Sequence, residues 1–180
     1  MTLKIVSLRF AVLSAAMLAP AHATAAPSIL TIPPATAIAM RIVAIHNQVR
    51  AAAGSPPIYW DSGLASAADH YAAELARTGR WGHSAPATRL GQGENLWMGT
   101  RGAFNLDQML GTWAAEGRAF RPGRFPDVSR SGSWKDVGHF TQMIWPGSLR
   151  IGCASRSSAR FDYFVCRYWP AGNVAGVTVP

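Results

Sequence analysis

The chain has 180 residues, which is the length of one globular domain. Hydrophobic residues make up 49% of it and charged residues 14%, and this balance excludes a disordered or fibrous protein. Two cysteines allow one disulfide at most, which excludes a disulfide-dense scaffold and a four-cysteine zinc site. The formal net charge of +8 shows a surplus of basic residues whose position along the chain bears on possible partners.

The first 26 residues have the features of a cleaved secretory signal peptide. Lys4 and Arg9 give a basic start, residues 10–18 are apolar, and small residues follow. Cleavage positions that fit the small residues follow Ala23, Ala25 and Ala26. The apolar run is too short to span a bilayer, and no second segment of transmembrane length follows it. We therefore expect a soluble, monomeric protein that is secreted or periplasmic.

Removal of this segment lowers the net charge of +8 by two, because Lys4 and Arg9 leave with it. Much of the remaining surplus lies in residues 118–135, where four arginines and one lysine stand against Asp127. Such a segment can contact phosphates or anionic lipid headgroups. Since no nucleic-acid-binding motif accompanies it, we favour a solvated basic loop and expect no nucleic-acid partner.

Residues 27–36 are rich in proline and alanine and predict a linker, which leaves residues 37–180 for a single domain. The spacing of apolar residues predicts three helices in that domain. The first runs from Ile38 to near Gly54, the second from an N-cap at Asp61 to an end between Gly79 and Gly82, and the third over residues 105–117. The glycine-rich residues 82–104 predict mostly loop.

Three segments predict strands. Residues 149–155 alternate in polarity, and residues 161–169 are rich in aromatic and branched side chains, so the two predict a hairpin with a turn at 156–160. This hairpin would place Cys153 opposite Cys166, and an oxidising compartment would permit a structural disulfide between them. Residues 139–145 are apolar on both faces, which predicts a strand in a sheet that is packed between helices.

Four polar residues stand out against these elements. Glu116 falls on the apolar stripe of the third predicted helix, where a buried carboxylate needs a partner or loses its charge. His139 opens the apolar strand, and His83 and Glu94 lie in the glycine-rich stretch. Such a set can hold a zinc or copper ion, act in general acid–base catalysis, or form a hydrogen-bonded core cluster. His46 lies mid-helix, as does His70, and both are predicted to be ordinary helix histidines.

The sequence lacks the motifs of several familiar sites. It contains no H-E-x-x-H helix motif, no G-x-S-x-G, no P-loop, and no G-x-G-x-x-G that opens a helix. Residue types alone therefore leave three alternatives open: a metal site, an acid–base pair, and a hydrogen-bonded core cluster.

Two long segments resemble the signatures of the CAP superfamily, also called the SCP or pathogenesis-related-1 family, which includes the antigen 5 and cysteine-rich secretory proteins. Residues 138–145, GHFTQMIW, resemble its first signature, and residues 163–173, YFVCRYWPAGN, resemble its second. Shorter matches lie in the expected order at His46-Asn47 with Arg50, at Trp60-Asp61 with Leu64-Ala65, and at Gly93-Glu94-Asn95-Leu96. The resemblance covers about residues 40–176.

The resemblance implies an α+β fold, a three-layer α-β-α sandwich with a central, mainly antiparallel sheet. It also implies a cleft lined by two histidines and two glutamates, which by motif are His83, Glu94, Glu116 and His139. Some members bind zinc or similar divalent ions through the two histidines, so His83 and His139 are the expected metal ligands. Some bind sterols or fatty acids, and proteolysis has been proposed for a few.

The chain has one possible disulfide, no N-x-Ser/Thr sequon and no cysteine-rich extension, which suits a minimal bacterial exported member. We favour binding over catalysis, through a cleft that takes a ligand and can also hold Zn²⁺ or another divalent ion. The expected partner is a lipid or a component of the cell surface or cell wall. The alternatives are a metal-assisted hydrolase of peptide or cell-wall material, with Glu94 and Glu116 as candidate catalytic residues, and a lipid carrier.

Overall fold

A computed structural model describes residues 34–180, so the predicted signal peptide and most of the predicted linker lie outside the described residues. The helices are α1 (Pro34–Ala52), α2 (Ser62–Thr78), α3 (Leu106–Ala115) and α4 (Gly138–Ile144). The strands are β1 (Tyr59–Trp60), β2 (Gly93–Thr100), β3 (Gly123–Arg124), β4 (Arg150–Ser157), β5 (Phe161–Trp169) and β6 (Thr178–Val179). None of these helices is long and apolar enough to cross a membrane.

Local capping sets both ends of the predicted second helix and the start of the third. The Asp61 side chain accepts a hydrogen bond from the backbone N–H of Leu64, and Gly79 ends α2 in the left-handed conformation at φ 68°. Asn105 and Gln108 form a reciprocal capping box at the start of α3. Helix α1 begins at Pro34, which is earlier than the start at Ile38 that the apolar spacing predicts.

The main sheet has the strand order β1-β4-β5-β2, in which only the β1–β4 pair is parallel. The β4–β5 hairpin forms its centre, and Cys153 lies directly opposite Cys166 in the register. These two cysteines are joined by a disulfide with an S–S distance of 2.04 Å, which confirms the predicted bridge. β3 and β6 form a separate two-stranded ribbon.

Alternating residues of β5 divide the core into two layers. Tyr163 and Val165 pack with α2 on one face of the sheet, whereas Phe164 and Tyr168 pack with α1, α3 and α4 on the other. Gly152 of β4 allows α2 to lie close, since a Cβ there would come within 2.5 Å of α2 backbone atoms. The result is the expected α-β-α sandwich, with the sheet covered on both faces.

The predicted strand at residues 139–145 is wrong, because residues 138–144 form helix α4. Four of its seven residues, from Thr141 to Ile144, are buried. A short helix with so much of its surface buried has no polar face, so its apolar pattern cannot be distinguished from that of a buried strand. His139 consequently lies in the first turn of a helix and not at the start of a strand.

The prediction of mostly loop for residues 82–104 is also wrong in part. Residues 93–100 form β2, which pairs with β5 along its whole length and forms one edge of the sheet. Its first five residues are all buried, so the alternation that marks a half-exposed strand is absent. This strand carries Glu94 into the interior.

His46 is a structural histidine, as predicted for a helix position. Its Nδ1–H donates to the Ile42 carbonyl at 2.9 Å, and its Nε2 lies 2.9 Å from the Tyr168 hydroxyl. Burial lowers the pKa of the imidazole to about 4. The neutral ring therefore accepts a hydrogen bond from the Tyr168 hydroxyl at physiological pH and links α1 to the centre of the sheet.

Candidate functional site

A cleft of about 500 Å³ opens between the segment that leads into β2 and the first turn of α4. His83, Glu94 and His139 all line it. Trp134 and Lys135, at the end of the basic segment, lie at the same cleft and are exposed to solvent. Three of the four residues singled out in the sequence thus meet in one concave surface.

His83 and Glu94 form a close pair on one side of this cleft. The Nδ1 of His83 lies 2.7 Å from Glu94 Oε1, and the His83 side chain is 54% exposed whereas that of Glu94 is fully buried. Ser84 donates its backbone N–H to Oε1 at 3.0 Å and its hydroxyl to Oε2 at 2.9 Å. Arg167 of β5 completes the shell with Nη2 at 3.0 Å from Oε2.

This environment keeps Glu94 ionised. Burial acts to raise the pKa of its carboxyl group, but the hydrogen bond from His83, the charge of Arg167 and the hydrogen bonds from Ser84 together outweigh it. The pKa of Glu94 is therefore held below its ordinary value. An ionised carboxylate only accepts hydrogen bonds, so it fixes the His83 proton on Nδ1.

His139 and Glu116 form the second pair. Glu116 follows the last residue of α3 and begins a 3₁₀ turn, Glu116–Arg118. Its Oε1 lies 2.6 Å from His139 Nδ1, and its Oε2 accepts the backbone N–H groups of His139 at 2.9 Å and Phe140 at 3.1 Å. Because α4 has no side-chain cap from its own N-cap residue, the Glu116 carboxylate satisfies the free N–H groups of its first turn.

The His139 ring is held by further contacts. The indole of Trp113 stacks on it, with ring centroids 5.9 Å apart and planes 13° from parallel. The side-chain amide of Asn95 donates to the His139 carbonyl at 3.0 Å, which ties α4 to β2. The ring is therefore oriented by α3 and the Glu116 turn, while β2 holds the backbone at His139.

The two pairs share one chemical feature. Each histidine gives Nδ1–H to a glutamate, so Nε2 carries the lone pair that can bind a ligand. Within residues 34–180, no hydrogen bond to either Nε2 is present, and no group of three or more His, Cys, Asp or Glu side chains is placed to hold a metal ion. The cleft thus offers two imidazole donors, with the glutamates behind them as orienting partners.

Residues 43–168 match the family model of CAP, the cysteine-rich secretory protein family. The chain belongs to this family. Among curated relatives, the PR-1 type pathogenesis-related protein of Sambucus nigra is 33% identical over 73% of this chain and 75% of its own length. Pathogenesis-related leaf protein 4 of Solanum lycopersicum is 35% identical over 74% of this chain and 78% of its own length.

Solved structures share the fold of this CAP protein at low sequence identity. The crystal structure of NaASP2 with Zn²⁺ has a TM-score of 0.64 and 23% identity, and the match covers 78% of this chain and 84% of that one. The structure of venom allergen-like protein 4 of Schistosoma mansoni has a TM-score of 0.57 and 19% identity, with 79% and 96% covered.

Sequence reasoning about this CAP domain missed Arg167. It lies on the same face of β5 as Tyr163 and Val165, and it is buried against α2. The sequence does point to this residue, because a charged side chain at an inward position of an apolar strand needs a buried partner. Glu116 differs from the other three predicted residues, because it lies behind His139 and is not part of the cleft wall.

Proposed function

We propose that the cleft is a binding site that holds a divalent metal ion such as Zn²⁺ through Nε2 of His83 and His139, and that the protein acts as an exported ligand-binding CAP protein. The observation that carries this proposal is the Nδ1–carboxylate bond in each pair, at 2.7 Å and 2.6 Å. Metal-bound histidines commonly have this arrangement, because the carboxylate fixes the tautomer and strengthens the donor.

The donor set suits an exchangeable ion rather than a closed structural site. Zinc accepts imidazole nitrogen readily, and two protein donors leave coordination positions for water or a ligand. In a cleft of about 500 Å³, a small molecule can reach those positions. That NaASP2 was solved with Zn²⁺ is consistent with such a site in the family.

Binding is better supported than hydrolysis. A general base needs a free carboxylate oxygen near the proton it removes. Both oxygens of Glu94 are engaged, by His83, Ser84 and Arg167, and both oxygens of Glu116 accept hydrogen bonds from His139 and Phe140. This bonding supports a role for the glutamates in orienting the histidines rather than in activating water.

Calorimetric titration with zinc at pH 7.5 tests this function. We expect one ion per chain, with at least about tenfold weaker binding in His83→Ala and in His139→Ala, since each loses half of the protein donors. Binding should also weaken in acid, because zinc needs neutral imidazole. His70→Ala is the matched control, an exposed histidine that does not line the cleft, and should bind like the wild type.

Absence of zinc binding in the wild type contradicts the proposed metal site, and so does zinc binding as tight as in the wild type by both His83→Ala and His139→Ala. The four residues would then be a self-satisfied hydrogen-bonded cluster.

A second candidate function, lipid carriage, is favoured by an apolar groove of about 520 Å³. The groove is lined mainly by apolar residues, and Gln48 is the one polar residue of its lining. The apolar residues include Val49, Ala52, Phe120 and Phe140. This surface suits a single acyl chain.

We expect palmitate to displace a fluorescent fatty acid from the wild type, and Ala52→Glu to weaken fatty-acid binding about tenfold. Ala51→Glu, at an exposed position outside the groove, is the control. If both variants bind the fatty acid with equal affinity, the groove is not the fatty-acid site.

A further inference from the structure

A second recess, of about 580 Å³, lies between α2 and the segment 79–88. It shares only His83 with the cleft described above. Its lining includes Tyr71 and Glu74 from α2, Arg80 and Trp81 from the segment that follows, and Arg167 from β5. The proposed metal site does not use these five residues for metal binding.

Arg167 is the unusual member of this recess. It is only 3% exposed, and its Nη2 is bound to Glu94 Oε2 at 3.0 Å. Its Nε is the one buried side-chain polar atom of the described residues that has no hydrogen-bond partner. Buried polar groups are almost always paired, so an incompletely paired guanidinium in the wall of a recess points to a ligand.

The surroundings of Arg167 indicate what that ligand is. Its guanidinium carbon lies 5.4 Å from the centre of the Tyr71 ring, and the Trp81 side chain is about half exposed at the same recess. Arg80 adds a second positive charge, opposed by Glu74. Since Glu94 already neutralises part of the Arg167 charge, the recess suits a singly charged anion better than a highly charged one.

We propose that this recess binds an organic acid in which one carboxylate is attached to a ring. The carboxylate faces Arg167 and Arg80, because a planar guanidinium matches the two oxygens of a carboxylate. The ring lies against Tyr71 and Trp81, whose aromatic surfaces contact flat apolar groups. This inference does not depend on metal binding at the cleft.

The test is a ¹⁵N NMR titration of the metal-free protein, with its disulfide intact, using benzoate as the probe. We expect saturable shifts of the Trp81 indole N–H and of the Gly82 and Ser84 amides, which belong to the recess wall. Benzamide has the same ring without the charge, and acetate has the charge without the ring, so both should bind at least about fivefold more weakly than benzoate. Inorganic phosphate, which carries charge but no ring, should also bind more weakly than benzoate if the recess recognises the ring.

Charge variants on the recess wall complete the test. Arg80→Gln should weaken benzoate binding about threefold or more, and Glu74→Gln should strengthen it, because each changes the charge near the carboxylate. Both side chains are exposed, so these variants keep the proposal testable even if Arg167→Gln fails to fold. Arg160→Gln, an exposed arginine of the β4–β5 turn outside the recess, is the matched control and should bind benzoate like the wild type.

The proposal is overturned if benzoate causes no saturable shift at the recess, if benzamide or phosphate binds as tightly as benzoate, or if neither wall variant changes its affinity. Because no metal is present in this experiment, its failure leaves the zinc titration unaffected, and failure of the zinc titration leaves this result unaffected.

Discussion

Replacing Arg50 by methionine is expected to lower the free energy of unfolding by about 4 kcal/mol. The Arg50 side chain is fully buried and donates only to backbone carbonyls. Its Nε reaches Pro56 at 2.6 Å, its Nη1 reaches Met143 at 2.8 Å and Trp145 at 3.0 Å, and its Nη2 reaches Ser148 at 2.9 Å. Methionine fills similar space but leaves four carbonyls without this donor.

Urea denaturation of the wild type and of Arg50→Met measures this loss. Arg77→Met, an exposed position in the last turn of α2, controls for removal of a positive charge and should change stability by less than about 1 kcal/mol. If Arg50→Met loses no more than this control, the Arg50 network does not stabilise the end of α4.

Replacing Glu94 by glutamine is expected to cost about 3 kcal/mol, because Arg167 then keeps a buried charge without its counter-ion. The loss should depend on pH. The folded-state pKa of Glu94 is lower than its ordinary value of 4.5, so its carboxylate stabilises the wild type fully above about pH 4.5. This stabilisation is lost as the pH falls through the folded pKa, and the two proteins should therefore converge in acid.

Denaturation of both proteins between pH 7 and pH 3 checks this expectation, with exposed Glu74→Gln as the matched control. The double variant Glu94→Gln/Arg167→Met should regain part of the lost stability, because it no longer buries an unpaired charge. A constant difference between wild type and Glu94→Gln over the whole pH range would show that ionisation of Glu94 is not the cause.

Much of the fold can be predicted from local chemistry. The start of α2 follows from the N-cap Asp61, and its end at Gly79 falls within the predicted range of Gly79 to Gly82; both caps depend on neighbours within a few residues. The β4–β5 hairpin and its Cys153–Cys166 bridge follow from two adjacent strands and one short turn. In each case, the information lies within one short segment of the chain.

The elements that were mispredicted are those decided by long-range burial. Helix α4 and strand β2 are largely covered by other elements, so their sequences lack the polar face that reveals a period. The pairing within the site is also nonlocal. Glu116 is recognisable as an anomaly, but its contact with His139, 23 positions away, depends on how α3 meets α4.

The two cleft histidines are attached to unequal supports. Helix α4, which carries His139, is held at its start by Glu116 and at its end by Arg50. His83 lies outside helices and strands and is tied mainly through Glu94. If the cleft holds a divalent ion as proposed, ions of different radius should be accommodated by movement of His83, while His139 keeps its position. Discrimination between small and large divalent ions would then depend on the stiffness of the segment 79–88, more than on the donor atoms themselves.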